Sequence, residues 1–187
     1  MNDTKLNVGA IGFWGHDIYA TALLEHPDVR VSGMCDWASQ TPRGERLRAY
    51  AKDHDFSVYD SPKAMIQEHE FDALAVLAPP AKMADIVETI ASRTRGLLLE
   101  KPVARDLDGA RRVYQAAREH HLNVSIAFPT RNNPQLQTCK RLVDEGKIGK
   151  PLAGTYTTLQ SNGPLYTVDT SPENLALVAG GDDVMHM

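Results

Sequence analysis

Three glycines stand at intervals of three residues near the start of the chain, at Gly9, Gly12 and Gly15. Glycine allows the backbone to approach an anion closely, and the N-terminus of a following helix presents unpaired N–H groups to it. Asp36 comes about 20 residues after the last glycine, the separation at which an acid can bind both hydroxyls of a ribose. These residue types and spacings predict a dinucleotide-binding turn.

The glycine pattern departs from the usual dinucleotide fingerprint. Counted from Gly12, that fingerprint has glycine at the positions of Trp14 and Asp17. A glycine triplet also fits an ordinary turn between a strand and a helix. Because this one follows an apolar run, precedes a helix and stands ahead of an acid, cofactor binding is favoured, with Phe13 and Trp14 as candidate contacts. Trp14 fits either a position over the cofactor or one covering the end of the sheet.

Apolar runs alternate with helix-like segments on both sides of Asp36. Further predicted strands cover residues 57–59, 73–77, 96–99 and 123–128, and further helices cover 41–53, 83–92 and 106–120, with another beginning at Ser61-Pro62. This alternation predicts an α/β fold built on a doubly wound parallel sheet with right-handed crossovers. Ligands of such sheets bind beyond the carboxyl ends of the strands.

Two of the predicted helices have an apolar side that we expect to face the sheet. In the helix over 106–120 the apolar residues recur at three- and four-residue steps, at Leu107, Ala110, Val113 and Ala117. In the helix over 41–53 the inner side is predicted to hold Leu47, Ala49, Tyr50 and Ala51.

The residues that directly follow the predicted strands are the candidates for a site at the sheet edge. They are Asp36, Ala78, Pro79, Pro80, Glu100, Lys101 and residues 129–131. Together with Gly9-Ala10-Ile11-Gly12 and with Ala127 to Arg131 ahead of Pro134, these segments resemble the glucose-fructose oxidoreductase, inositol dehydrogenase and rhizopine-catabolism (Gfo/Idh/MocA) family. The Glu-Lys-Pro sequence after strand 96–99 is the most specific element of the resemblance.

The resemblance implies a Rossmann domain over residues 1–128 and the beginning of a second, α+β domain for substrate binding and oligomerisation over 129–187. It implies an NAD(P)-dependent oxidoreductase acting on a sugar, cyclitol or related polyhydroxy compound. Arg131 is among the cofactor contacts that it implies. Two alternatives remain open, a non-catalytic dinucleotide-binding sensor of the same superfamily and an inactive cofactor-binding fragment.

Lys101 is the predicted proton-transfer residue. It follows an apolar strand and stands between an acid and a proline, so it is held at the edge where the cofactor is expected. The competing interpretation is a solvated lysine paired with Glu100. The resemblance adds Asp182 and His186, which follow two glycines with the family's four-residue separation, although a second register would align His186 with the family's aspartate.

Composition and charge exclude several classes of function. A net charge of −4 gives no basic face for nucleic acid, and no apolar run is long enough to span a membrane. The N-terminus has no secretion signal, so a cytoplasmic location is expected.

Cys35 and Cys139 have no metal-site spacing, so no metal is predicted, and Cys35 is expected to be buried. Because Asp36 would repel a 2′-phosphate and no arginine follows it before Arg43, NAD is predicted over NADP.

Beyond the sheet, the sequence predicts a helix over 133–145 ended by Gly146 and a strand over 152–159. A single strand leaves unpaired edges that recruit a partner. The C-terminal region is therefore predicted to form a homo-oligomer contact or to be disordered.

Overall fold

Six strands form a parallel sheet in the computed structural model, which describes residues 5–12, 17–36, 42–155 and 157. The strands are β1 (Leu6–Ile11), β2 (Val29–Cys35), β3 (Ser57–Tyr59), β4 (Ala73–Val76), β5 (Gly96–Leu99) and β6 (Asn123–Ile126). Their order is β3-β2-β1-β4-β5-β6, and each neighbouring pair is parallel. The predicted doubly wound sheet is confirmed, and its switch point lies between β1 and β4.

Helices connect these strands along the chain. They are α1 (Asp17–Glu25), α2 (Pro42–His54), α3 (Pro62–Glu68), α4 (Pro80–Ile90), α5 (Leu107–Glu119) and α6 (Pro134–Asp144), with short 3-10 helices at Ala91–Arg93 and Pro129–Asn132. Three of the described helices begin at a side-chain cap, at Ser61, Asp106 and Asn133. The hydroxyl of Ser61 accepts a hydrogen bond from the Ala64 N–H at 3.1 Å, and the carboxylate of Asp106 accepts one from the Gly109 N–H at 2.8 Å. Each cap satisfies a backbone donor that helix geometry leaves unpaired.

Two clusters of buried apolar side chains cover opposite faces of the sheet. Along β1, Ala10 belongs to one cluster and Ile11 to the other, as the two-residue repeat of a strand requires. The larger cluster packs strand residues against α3, α4 and α5, and the smaller one packs strand residues against Leu47 and Ala51 of α2. Burial on both faces explains why the run at 73–77 is apolar without interruption.

Helix α4 begins earlier than the sequence predicted, at Pro80 instead of Met83. The predicted strand over 73–77 and the predicted helix over 83–92 leave Pro79 and Pro80 between them. Proline at the first helical position costs nothing, however, because the N–H that it lacks would have no partner in the helix. The early start brings the N-terminus of α4 directly to the end of β4.

The predicted inner faces of two helices need correction. On α5, Val113 and Ala116 are buried but Leu107 is 65% exposed, because at about 100° per residue Leu107 lies on nearly the opposite side of the helix. On α2, the buried pair is Leu47 and Ala51, four residues apart, and the predicted Ala49 and Tyr50 are exposed.

The strand predicted over 152–159 is not formed in its described part. Residues 152–155 and 157 have no regular structure, and the rest of that segment lies outside the described residues. A strand needs a hydrogen-bonded neighbour to satisfy its backbone, and no described segment pairs with this one. The alternation of threonine and apolar residues therefore did not suffice to predict a strand.

The described residues divide into two compact units between Ala127 and Phe128. The second unit contains the 3-10 helix Pro129–Asn132 and α6, whose N-terminus is capped by Asn133. Gly146 has φ +70° and follows the C-terminal end of α6. In the part of the chain that the structure describes, no helix is long and apolar enough to cross a membrane.

Candidate functional site

The chain leaves β1 at Gly12, at the carboxyl edge of the sheet. Gly12 has φ +81°, a conformation that favours glycine because a side chain would clash with the backbone. Its N–H donates a hydrogen bond to the carbonyl of Cys35 at 2.7 Å, which joins the turn to the last residue of β2. This turn therefore begins beside Asp36, the acid that the sequence associated with it.

Gly9 has a packing role inside β1. A Cβ atom at this position would lie 2.8 Å from Leu74 Cδ2 and 2.8 Å from Phe71 Cε1, both of which belong to buried side chains. The absence of a side chain lets β1 pack closely against the residues in and before β4. Its predicted contact with a cofactor stays a prediction.

Several predicted site residues lie outside the described residues. These are Phe13, Trp14 and Gly15 of the glycine turn, and Asp182 and His186 near the C-terminus. Their proposed roles stay predictions.

Asp36 is buried at the end of β2, with 1% of its surface exposed. Its neighbour Cys35 is also buried, as predicted. Burial, together with the negative charges of Asp36 and Asp60, raises the pKa of the Cys35 thiol to about 12. Because only the thiolate is nucleophilic, Cys35 is chemically inert at neutral pH.

The N-terminus of α4 lies at the same edge. Ala78 and Pro79 are buried, and Pro80 is the first residue of the helix. The Leu77 N–H donates to the carbonyl of Ile11 at 2.7 Å, so the end of β4 continues alongside the end of β1. A helix N-terminus here favours negatively charged groups of a ligand.

Glu100 and Lys101 follow β5 at this edge. Glu100 is 3% exposed, and its N–H donates to the carbonyl of Val76 at 2.9 Å, which extends the pairing of β5 with β4. Lys101 is half-buried and is joined to Pro102 by a cis peptide bond. The Ala127 N–H makes the equivalent bond to the carbonyl of Leu99 at 2.8 Å. The Glu-Lys pair is therefore held between the ends of β4 and β6.

Tyr19 is a residue near this site that the sequence did not single out. It lies in the first turn of α1 and is half-buried. Burial, and to a smaller extent the negative charge of Glu100, raises the pKa of its phenol. The beginning of α1 therefore lies within electrostatic range of the end of β5. Its position just after the glycine turn could have identified Tyr19 as a candidate from the sequence. Its closeness to Glu100 depends on the fold and could not have been predicted.

Arg131 belongs to the second compact unit. Its guanidinium carbon lies 5.9 Å from the centre of the Phe128 ring, and its carbonyl accepts a hydrogen bond from the Gln137 side chain. Its role as a cofactor contact stays a prediction. Among the described residues, no group of three or more histidine, cysteine or acidic side chains is arranged to hold a metal ion.

Residues 6–128 match the family model described as GFO_IDH_MocA, an oxidoreductase family with an NAD-binding Rossmann fold. The chain belongs to this family. The matched residues include all six strands of the sheet and the carboxyl-edge residues from Gly12 to Lys101. The turn at Gly12, the buried Asp36 and the Glu-Lys-Pro segment are thus parts of an NAD-binding Rossmann domain.

Curated relatives include sugar and inositol dehydrogenases. D-xylose 1-dehydrogenase [NADP(+)] from Haloarcula marismortui is 30% identical over 161 residues, which are 81% of this chain and 42% of the relative. Inositol 2-dehydrogenase from Rhizobium meliloti is 23% identical over 159 residues, covering 85% of this chain and 45% of the relative. The chain spans less than half the length of these relatives.

Solved structures with the same fold include scyllo-inositol dehydrogenase from Lactobacillus casei with bound NAD(H) and scyllo-inositol. It aligns with a TM-score of 0.69 at 22% sequence identity, over 78% of this chain and 43% of that protein. At this identity the likeness concerns the fold.

Proposed function

We propose that this chain forms the cofactor-binding part of an oxidoreductase that uses NAD in preference to NADP and acts on a sugar, cyclitol or related polyhydroxy compound. Three findings each support a part of the proposal: the family match supports the oxidoreductase class, the relatives named for xylose and inositol support the substrate class, and the arrangement of the carboxyl edge supports the choice of NAD. Of these, the arrangement of the edge carries the proposed mechanism.

Asp36 and Lys101 lie at the same edge of the sheet, on opposite sides of its switch point. Asp36 follows β2 and Lys101 follows β5, with β1 and β4 between them. Neighbouring strands are about 4.8 Å apart, so three steps across the sheet separate the two positions by roughly 14 Å. An extended dinucleotide can cross this distance with its adenosine ribose at Asp36 and its nicotinamide end toward Lys101.

The residues of the edge suit the groups that this orientation brings to them. A buried carboxylate at position 36 can accept hydrogen bonds from the two ribose hydroxyls, and Gly12 and the N-terminus of α4 leave backbone close to the phosphates. A nicotinamide cofactor supplies hydride acceptance or donation. Lys101 Nζ then hydrogen-bonds the reacting oxygen of the substrate and takes its proton in oxidation or returns it in reduction. Asp182 and His186 are proposed to complete the substrate site.

Nucleotide binding is the first test. NAD and NADP are titrated against the chain, and we expect tighter binding of NAD. Asp36→Asn should weaken NAD binding by about 10- to 100-fold, because hydrogen bonds to a charged group are worth about 1.5–3 kcal/mol. Asp28→Asn is the matched control, because it removes the same charge at the opposite end of β2. Tighter binding of NADP to the unmodified chain would contradict the proposed preference.

Turnover is the second test. The full gene product is incubated with NAD and a panel of inositols, pentoses and hexoses, and reduced cofactor is followed by absorbance. We expect at least one polyhydroxy compound to be oxidised. Tight NAD binding without turnover of any compound in the panel would favour the sensor alternative.

A further inference from the structure

A second acid, Asp60, lies beside Asp36 at the edge of the sheet. The register of β2 and β3 pairs Cys35 with Tyr59, and Asp36 and Asp60 are the residues that directly follow this pair. Because parallel neighbours are about 4.8 Å apart, the two acids leave the sheet side by side. They are 24 positions apart in the sequence, so only the strand register brings them together.

The two carboxylates differ in their surroundings. Asp36 is buried, whereas Asp60 is exposed, and none of the lysine and arginine side chains that the structure describes forms a salt bridge with Asp60. Both negative charges act on the thiol of Cys35, which shows that their fields overlap at the end of β2. The edge of the sheet next to the proposed ribose position is therefore more negative than Asp36 alone would make it.

We infer that Asp60 is a second specificity-determining residue, which disfavours the 2′-phosphate of NADP through its charge. The inference rests on the proposed dinucleotide site, with the adenosine ribose at Asp36. Asp36 is expected to bind the ribose hydroxyls directly, so its loss affects both nucleotides. Asp60 is exposed and one strand further out, so its charge is expected to act on the added phosphate and to leave NAD binding nearly unchanged.

The size of the effect follows from charge and distance. At a separation of about 7 Å in water, with the weak screening of 0.01 M salt, repulsion between a carboxylate and a phosphate of charge near −2 corresponds to roughly a fivefold change in affinity. Salt should remove most of it, because the Debye length falls from about 30 Å at 0.01 M to about 3 Å at 1 M ionic strength.

The test compares Asp60→Asn, Asp60→Lys and the unmodified chain by titration with NAD and with NADP at 0.01 M and 1 M salt. We expect Asp60→Asn to tighten NADP binding about fivefold at low salt and less than about twofold at high salt, with NAD binding unchanged. Asp60→Lys should tighten NADP binding further, because it replaces repulsion with attraction. Asp28→Asn serves again as the control, since it removes a charge about 26 Å away at the other end of β2.

The outcomes separate this inference from the proposed function. If NAD binds to the unmodified chain but Asp60→Asn changes NADP affinity no more than Asp28→Asn does, the role of Asp60 is wrong and the dinucleotide site stands. An equal effect of Asp60→Asn on NAD and NADP, or an effect that persists at 1 M salt, would also overturn the inference. If neither nucleotide binds to the unmodified chain, the proposed function and this inference are both rejected.

Discussion

Lys101 and its neighbours show how single side chains at the sheet edge are held in place. Glu100 is buried next to it, bonded through its backbone to β4, and Val103 packs against the larger core cluster two residues later. The backbone on both sides of Lys101 is therefore anchored. An anchored lysine at the nicotinamide end is suited to proton transfer, because its Nζ atom can be kept at a fixed distance from the reacting oxygen.

Replacing Lys101 with alanine should reduce kcat in the full gene product by about 10²- to 10⁴-fold, the usual cost of losing a general acid or base. We expect NAD affinity to change little, because the proposed binding groups lie elsewhere at the edge. Steady-state kinetics and NAD titration measure the two effects separately. Lys63→Ala, at an exposed lysine in the first turn of α3, is the control. A fall of less than about tenfold, or one explained by lost NAD binding, would show that Lys101 is not the proton-transfer residue.

Cys35 should make stability fall at alkaline pH. Its pKa is raised from 9.0 to about 12 in the folded chain, so between these values the unfolded chain loses a proton that the folded chain keeps. The contribution is fully present below pH 9 and is lost as the pH rises toward 12, at up to about 1.4 kcal/mol per pH unit. Urea unfolding of the unmodified chain and of Cys35→Ala at pH 8 to 11 measures the difference. Cys139→Ala, at the exposed cysteine, should retain the full pH dependence.

The switch point of the sheet depends on the contact between strands β1 and β4. These two central strands pair over Val8 to Ile11, and the N-terminal part of this contact is close because Gly9 has no side chain. Strand pairing at this position sets where β1 ends, and so where the turn at Gly12 meets Asp36. Close packing in the interior of the sheet is thus connected to the geometry of the proposed site.

Gly9→Ala should destabilise the chain by about 1–3 kcal/mol, the usual cost of inserting a methyl group into a packed core. The added Cβ would lie 2.8 Å from side-chain atoms of both Leu74 and Phe71, which are buried and have little room to move. Gly154→Ala is the control, because nothing lies within 4 Å of an added Cβ there. The free energy of unfolding in urea measures both. If Gly9→Ala and Gly154→Ala have the same free energy of unfolding, β1 and its neighbours accommodate the methyl group without loss of stability. The close-packing role of Gly9 would then be wrong.

At the scale of the whole molecule, β6 is an edge strand of the sheet that the described residues form. Its neighbour on one side is β5, and all four of its residues are exposed. Val124 and Ile126 are 41% and 39% exposed, and the strand contains neither charge nor proline. Natural edge strands usually carry a charged residue or a proline, because an edge without them can pair with another chain.

Self-association through this edge should respond to a single charge. We expect Ile126→Lys to lower the fraction of associated chain in sedimentation velocity experiments, because a lysine disfavours pairing of strand edges. Tyr114→Lys introduces the same charge at an exposed position on α5 and should have little effect. If both variants and the unmodified chain sediment alike as monomers, self-association through the β6 edge is wrong.

Much of the architecture was predictable from the sequence because its signals are local. The apolar run at 73–77 indicated a strand buried on both faces, and the serine and proline at Ser61-Pro62 indicated a helix start. Glycines, Asp36 and the Glu-Lys-Pro segment identified the edge where the site lies, because in a parallel sheet the residue after each strand reaches the same edge. Errors arose where a local signal was ambiguous, as at Pro79-Pro80, or where a strand needed a partner, as at 152–155.

Only the tertiary structure decided which distant residues became neighbours. The register of β2 and β3 places Asp60 beside Asp36, and the path of α1 brings Tyr19 within range of Glu100. Gly9 was predicted from its spacing to contact a cofactor, and the packing of Phe71 and Leu74 shows that it also has a role in the core. Spacing along the chain determines which residues lie together at the end of one strand or on one face of one helix. The pairing of strands and the crossing of helices, which join residues far apart in sequence, determine what each of them meets.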